Sequence, residues 1–448
     1  MRLFGKPLKR NTVIWTVAVL YLLVHVLVYG VFVLPSFAFR GYGYRDLDWW
    51  AYPFLIFAAL LPVVWLPKKL ERASDFAMWE LYATIIPSSV YIPFLSIDRP
   101  PIEMTLLTIC VIFSFWLTNY VRLHARPLYF ARVRNAYSIY QIPFFIVAAM
   151  FIVFIWKSVN FRIDLNWATI YTRRAQAAKI APKGSLLAYA INILVKIINP
   201  LGVVLWAIRK SPVHLWMSIL GVICAFSFNG LRTAIFLPIF AYLLLRLSRS
   251  DKGIPWMLSI IGIVNFLVGM IIFLPSGENI AMDIAAASTV RGIYVTGLLM
   301  GNYWDWFTRN PLNMMATSPF FGSLTHPVYK TSIPLLIGYQ YFGDPVNVAN
   351  AHYLASGFAE FSYGGMIAAA IIAGYVFSLF DAMGESRGMS ASTICAALLA
   401  MQMTNGAIQT TILTGGVLFL LMFLYFNEDA ESNPELAREP GLAPQPAT

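Results

Sequence analysis

Twelve continuous runs of apolar residues, most nearly as long as a bilayer is thick, dominate this sequence. A helix needs about 20 apolar residues to cross the roughly 30 Å hydrocarbon core. Runs approaching or reaching that length lie near 13–35, 50–67, 76–96, 102–120, 138–156, 185–208, 213–229, 231–246, 254–274, 351–380, 390–409 and 411–426. They are unbroken and do not alternate with period two, which excludes a β-barrel. Of the 448 residues, 59% are hydrophobic and 12% are charged, against about 25% charged in a soluble domain. The sequence therefore predicts an all-α polytopic membrane protein with about 12 transmembrane helices, forming a single integral domain over residues 1–426.

Charge sets the orientation. The basic segments "MRLFGKPLKR", "KKLER" at 68–72, "VRLHARPLYFARVR" at 121–134, "RK" at 209–210 and "RLSRSDK" at 246–252 all share one side if the spans alternate. The positive-inside rule puts that side, and both termini, in the cytoplasm. The net charge of +11 is thus scattered among short loops and leaves no footprint for nucleic acid. Cys110, Cys224 and Cys395 fall inside apolar runs and read as packing residues, giving neither a disulfide framework nor a metal cluster. No small-residue cleavage site follows the first run closely, so it reads as a retained span. The tail 427–448, rich in Pro, Glu and Ala, reads as disordered and cytoplasmic. The pairs 213–229 with 231–246 and 390–409 with 411–426 have almost no loop between them, and either is open to a re-entrant reading. Two long segments then face outward, 157–184 and 275–350. Their Trp, Tyr, Phe and Ile content predicts order, and loops of this length are usually functional when they are not disordered.

Candidate chemistry collects in these outward segments. Arg173, Arg174, Lys179 and Lys183 stand together in "YTRRAQAAKIAPKG", against the usual charge bias. Arg291 lies among small and apolar neighbours, and Arg232 at the outer end of a two-span hairpin. Each either reaches for lipid headgroups or holds an anion, for which a planar, permanently charged guanidinium is suited. In "NVANAHYLASGFAEFSYGGM", His352, Ser356 and Glu360 recur every fourth residue. On a helix over 351–380, about 45 Å long, the first turns would project above the bilayer and line an external cleft. Simple solvent exposure of a helix end is the alternative. The stretch "STVRGIYVTGLLMGNYWDWFTRNPLNMM" has helical apolar spacing, with Trp304, Trp306 and Phe307 as interfacial anchors. His326 and Asp305 are further outward candidates for proton transfer, more commonly hydrogen-bonding loop residues. Asp46 and Asp48 form a D-x-D pair able to hold a divalent cation, although acids beside Trp49 and Trp50 more often mark a plain interfacial loop.

Several stretches together resemble the O-antigen polymerase (Wzy-type) and oligosaccharide repeat-unit polymerase family of bacterial membrane proteins. These are "DLNWATIYTRRAQA" ahead of "INPLG", "NGLRTAIF", "VRGIYVTGLLMGNYWDWFTRNP", "PLLIGYQYFGD" and "ANAHYLASGFAEFSYGGM". The family carries Arg–spacer–Gly patterns in two outward loops. Here ten residues separate Arg173 from Gly184, and nine separate Arg174 from Gly184 and Arg291 from Gly301. The D-x-D pair is not part of that pattern.

The resemblance implies a membrane-embedded, C-type-like glycosyltransferase at the outer face of the bacterial cytoplasmic membrane. It would join oligosaccharide repeats (O-antigen, capsule or exopolysaccharide) carried on undecaprenyl pyrophosphate, by inverting chemistry with no cofactor or metal. A flippase and a chain-length regulator would be its partners. Departure of a pyrophosphate needs positive charge where negative charge builds up, a part assigned to Arg291, Arg174 and Arg232, with Arg173 in support. The attacking hydroxyl needs a base, Glu360 or His352. Tyr303, Asn350, Asp305 and His326 would contact sugars, and Trp304 would stack on them. An O-antigen ligase, a metal-dependent transferase using Asp46 and Asp48, and a lipid-linked oligosaccharide flippase are the competing readings.

Overall fold

The fold is given by a computed structural model that describes residues 2–3, 6–7, 10–127, 136–166, 169–182, 185–273, 286–316, 322, 326, 328–413 and 415–426. The tail 427–448, Lys183 and Gly184, and portions of both long segments lie outside the described residues. Among those described, a two-residue antiparallel ladder pairs β1 (Arg2–Leu3) with β2 (Lys6–Pro7), and the remaining regular structure is helical. The helices are α1 (Arg10–Arg40), α2 (Ala51–Val64), α3 (Asp75–Ser96), α4 (Pro101–His124), α5 (Ala136–Lys157), α6 (Ile170–Ile180), α7 (Leu186–Arg209) and α8 (Pro212–Asn229). They continue with α9 (Thr233–Ser248), α10 (Gly253–Gly269), α11 (286–309), α12 (Ile333–Phe342), α13 (Tyr353–Arg387), α14 (Met389–Met403), α15 (Ile408–Leu413) and α16 (Val417–Phe426).

Each apolar run falls mainly on helix. Six stretches are long and apolar enough to cross a membrane: α1, α4, α7, α8, Tyr353–Ser386 and Ile408–Phe426. Shorter apolar helices cover Ala51–Val64, Gln141–Lys157, Gly253–Gly269 and Met389–Met403. The helix ends meet in two groups that obey the alternation. At one end Arg122 reaches Asp75 (2.6 Å) and Asp381 (3.9 Å), and Ser74 Oγ donates to Asp381 (2.8 Å), fastening α3, α4 and α13. At the other, Arg45 bonds Asp98 (3.0 Å) and Arg99 bonds Asp305 (3.1 Å), joining the loops after α1 and α3 to the end of α11.

α3 is the central element, buried almost continuously from Phe76 to Phe94. Pro87 lies within it, and a proline there cannot donate to the carbonyl four residues back. That carbonyl, of Ala83, accepts a 2.6 Å bond from the Tyr21 hydroxyl of α1 instead. A neighbouring helix has replaced the missing intrahelical donor, as buried backbone requires.

Two expectations are corrected. The segment 275–350 does not stay outside the bundle as a long loop, because α11 packs along α3. Gly297 and Gly301 make this possible: a Cβ at Gly297 would run into the Ser88 backbone, and one at Gly301 would lie 2.5 Å from Ile97 Cδ1. Thr296 Oγ1 donates to Thr84 O (2.7 Å) and meets Ser88 Oγ (2.9 Å), and the Tyr294 hydroxyl donates to His25 O (2.9 Å). Trp304 and Phe307 are consequently buried, not interfacial.

The second correction concerns α13. Its first turns do not project above a bilayer as a straight rod. Backbone dihedrals leave the helical region at Phe361 (φ −142°, ψ 31°) and Ser362 (φ 56°, ψ −144°). Beyond that break the chain doubles back: a Cβ at Gly357 would lie 2.5 Å from Gly365 O and 3.0 Å from Ala369 Cβ. A short arm, 353–360, thus packs against a long arm, 363–387. The two glycines let the backbones touch, and the fold-back brings the polar side chains inward, so His352 (0% exposed), Ser356 (8%) and Glu360 (8%) are buried.

Candidate functional site

The short arm of α13 starts deep in the bundle. His352 Nε2 lies 3.4 Å from Ser89 Oγ, on α3 seven residues before its Ser96 end, or about 10 Å along the helix. The Tyr353 hydroxyl reaches Thr118 Oγ1 of α4 (3.2 Å). From there the arm climbs to Glu360, whose Oε2 accepts bonds from Asn313 Nδ2 (2.7 Å) and the Met315 amide (2.6 Å) and whose Oε1 accepts from Gln409 Nε2 (3.2 Å). The Asn313 and Met314 amides also donate to the carbonyls of Ala359 and Glu360. Glu360 therefore holds the turn after α11, α15 and the crest of the hairpin together. A buried carboxylate with three donors is well solvated by the protein itself.

The basic candidates divide. Arg173 is 6% exposed and committed to its own loop. It donates to the carbonyls of Asp164 (2.6 Å), Asn166 (2.6 Å) and Phe226 (2.7 Å), and lies 5.0 Å over the Phe226 ring. This clips the stretch before α6 onto the end of α8. Arg174 serves a different turn, with Nη2 3.4 Å from Gly230 O. Gly230 closes α8 at φ +62°, where its missing Cβ would press on Ile170 at 3.0 Å, so the turn favours glycine. Arg232, 8% exposed, opens α9 two residues further on. The structure thus brings Arg174 and Arg232 to one turn. Arg291 stands apart on α11, exposed, with no hydrogen bond or ion pair among the described residues.

Tyr303 and Trp304 serve the scaffold. The Tyr303 hydroxyl donates to Ala349 O (2.9 Å), holding the descent into the short arm, and Trp304 Nε1 donates to the Tyr363 hydroxyl (2.9 Å). Asn350 and His326 are exposed. Asp305 is a hub: Oδ1 lies 3.1 Å from both Arg99 Nε and Arg309 Nη2, and Oδ2 accepts from the Tyr341 hydroxyl (2.8 Å). Burial, then the bonded Asp305 carboxylate, pushes the Tyr341 phenol up, so it stays a donor at neutral pH.

Around this hub the helix ends on the Asp98–Asp305 side enclose two adjoining clefts. The larger, about 490 Å³, is lined by Arg45, Asp46, Asp48, Trp50, Asp98 and Arg99. The smaller, about 310 Å³, is lined by Arg40, Asn302, Asp305, Arg309, Tyr341 and Asp98. Asp46 and Asp48 are exposed in the first cleft, and among the described residues no group of three His, Cys, Asp or Glu side chains is placed to hold a metal ion. Sequence reasoning missed Arg40, Arg45, Arg99, Arg309, Asn302, Asn313, Gln409 and Tyr341. The one available signal was an arginine at the outward end of successive apolar runs, opposite to the usual charge bias.

The fold and the helix ends define an all-helical protein of membrane-spanning character with polar clefts at one end. Set against known proteins, the chain matches no family model, no curated protein and no solved structure.

Proposed function

We propose that this protein joins oligosaccharide repeat units carried on a polyprenyl diphosphate, at the outer face of the bacterial cytoplasmic membrane. Twelve spans with both termini cytoplasmic would place the clefts outward. The observation that carries the reading is the gathering of guanidinium groups at helix ends that the alternation assigns to the outer side. Arg174 and Arg232 share the Gly230 turn, and Arg40, Arg45, Arg99 and Arg309 surround the clefts. Arginines there run against the charge rule, and their chemistry suits a diphosphate leaving group. Arg174 and Arg232, at one turn, supply that charge in this scheme; Arg291, apart on α11, enters it on the family resemblance alone. Glu360 is favoured over His352 as the base, because its carboxylate retains some exposure and His352 has none. Tyr303 and Trp304 are buried in the scaffold and do not contact sugar directly; Asn350, Asp305 and His326 remain the polar contacts on offer.

Complementation of a polymerase-null strain tests this. The expected result is a ladder of polymer lengths on a gel, lost in Arg174→Ala, Arg232→Ala and Arg291→Ala variants present at normal membrane levels. Long polymer from all three variants would refute the assignment. Restored attachment without a ladder would identify a ligase.

The hairpin of α13 favours one second reading. Broken helices whose polar ends meet at mid-bundle are the usual construction of transporters, and a lipid-linked oligosaccharide flippase would use the same lipid. Accumulation of unflipped repeats on the cytoplasmic face in a null strain, cleared by this chain, would select it.

A further inference from the structure

We propose that the smaller cleft, at the end of α1 and α11, binds a phosphoryl group carried on a membrane lipid. The inference deepens the reading above, which the same arginines support, but its contacts do not involve the Arg174–Arg232 turn.

Charge comes first. Two carboxylates line this cleft, and each is already paired with an arginine: Asp98 with Arg45 at 3.0 Å, and Asp305 with Arg99 at 3.1 Å. Arg309 also reaches Asp305 (3.1 Å), but its side chain stays 54% exposed, with donors to spare. Arg40 has no carboxylate partner among the described residues; its guanidinium rests on the rings of Phe37 (5.6 Å) and Phe39 (5.4 Å). Arg99 is shared with Glu103 (3.7 Å), so the charge left to the cleft is that of Arg40, with the spare donors of Arg309 beside it; both are planar forks, the geometry that binds phosphoryl oxygens in pairs.

The floor provides the second, independent observation. Asn302 on α11 is 5% exposed, lines the cleft, and makes no side-chain hydrogen bond among the described residues. Its amide opens onto the cavity that the two arginines flank, free, among the described residues, of any protein partner that a ligand would have to displace. An oxyanion seated there would receive the amide N–H from below and guanidinium N–H groups from the sides. Tyr341, donating to Asp305, closes one wall.

The source of the phosphoryl group follows from the rim. Phe39, next to Arg40, is 77% exposed, and α1 below it is long and apolar enough to cross a membrane. Charge with an apolar ring beside it at a helix end suits an amphiphile better than a free ion. A phosphoryl group on a hydrocarbon chain fills both parts.

The test uses the full chain in phosphatidylcholine nanodiscs, with farnesyl diphosphate, inorganic diphosphate and farnesol as probes in calorimetric titrations. Farnesyl diphosphate is expected to bind more tightly than either other probe. Arg40→Ala and Asn302→Leu should each weaken it about tenfold, the scale of one charged hydrogen bond, and Lys69→Ala, in the exposed loop before α3 at the opposite helix ends, should leave it unchanged. Arg40 is exposed, so its replacement leaves the fold intact even if Asn302→Leu does not. Binding unaffected by Arg40→Ala, or weakened equally by Lys69→Ala, would overturn the site. Equal affinity for inorganic diphosphate would overturn the lipid. Failed complementation with Arg40-dependent binding intact would leave this inference standing while removing the reaction.

Discussion

The fold-back of α13 can be checked by one pair of cysteines. Gly357→Cys and Ala369→Cys, in a background where Cys110, Cys224 and Cys395 are alanine, place two thiols on facing arms of the hairpin. The Cβ of Ala369 lies 3.0 Å from the position a Cβ would take at Gly357. A disulfide needs about 3.8 Å between Cβ atoms, and the Gly365 carbonyl, 2.5 Å from the new Cβ, must yield by a similar amount, so one parting of the arms by about 1 Å meets both demands. In a straight helix the twelve intervening steps would separate the same residues by about 18 Å, far beyond any disulfide. Mild oxidation of membranes followed by mass spectrometry of peptides should therefore yield the linked 357–369 pair in high proportion. A Phe361→Cys control paired with Ala369→Cys tests a neighbouring register beyond the contact and should link less. Absence of the 357–369 link in protein that still accumulates in the membrane would refute the hairpin, and with it the inward placement of His352 and Glu360.

Two further outcomes follow from buried charge. Arg122→Met leaves Asp75 and Asp381 buried without their cation and should destabilise the protein by about 3–5 kcal/mol, seen as a lowered thermal transition in detergent; adding Asp381→Asn should recover part of the loss. Arg173→Ala removes bonds to three backbone carbonyls and should cost roughly 1.5–3 kcal/mol per charged bond at most. The readout is faster proteolysis between Asp164 and Ile170, with the helices either side still protected.

The sequence made the helices legible because continuous apolar runs carry their own signal. The helical spacing of α11 was legible too, but its burial was hidden, because Arg291 and the Asp305–Arg309 pair bracket that helix and give it the look of a surface segment. Burial there depends on Gly297 and Gly301 meeting α3, a tertiary fit. The break in α13 escaped for a local reason. It turns at Phe361 and Ser362, with Ser362 at φ 56°, whereas the glycines that advertise a turn come two and three residues later. The clefts were harder still. Arg45 stands next to Asp46 and Arg99 next to Asp98, which in sequence reads as solvated, self-paired loop charge. Only the meeting of four segments shows that the pairing crosses between loops. The partnerships of Arg173 and Glu360 were likewise invisible, since their acceptors and donors are backbone groups and amides from elsewhere in the chain.

The touching backbones at Gly357 and Gly365 bear on how the chain is built. The short arm, with His352 at its foot and Ser356 and Glu360 along it, is too short and too polar to be threaded into lipid by itself. Its binding surface is the long arm, made later by the ribosome. Synthesis must therefore deliver 363–387 first as a seated span, after which the preceding stretch sinks into the groove prepared for it, and the last polar step of assembly happens once the later helix is already home.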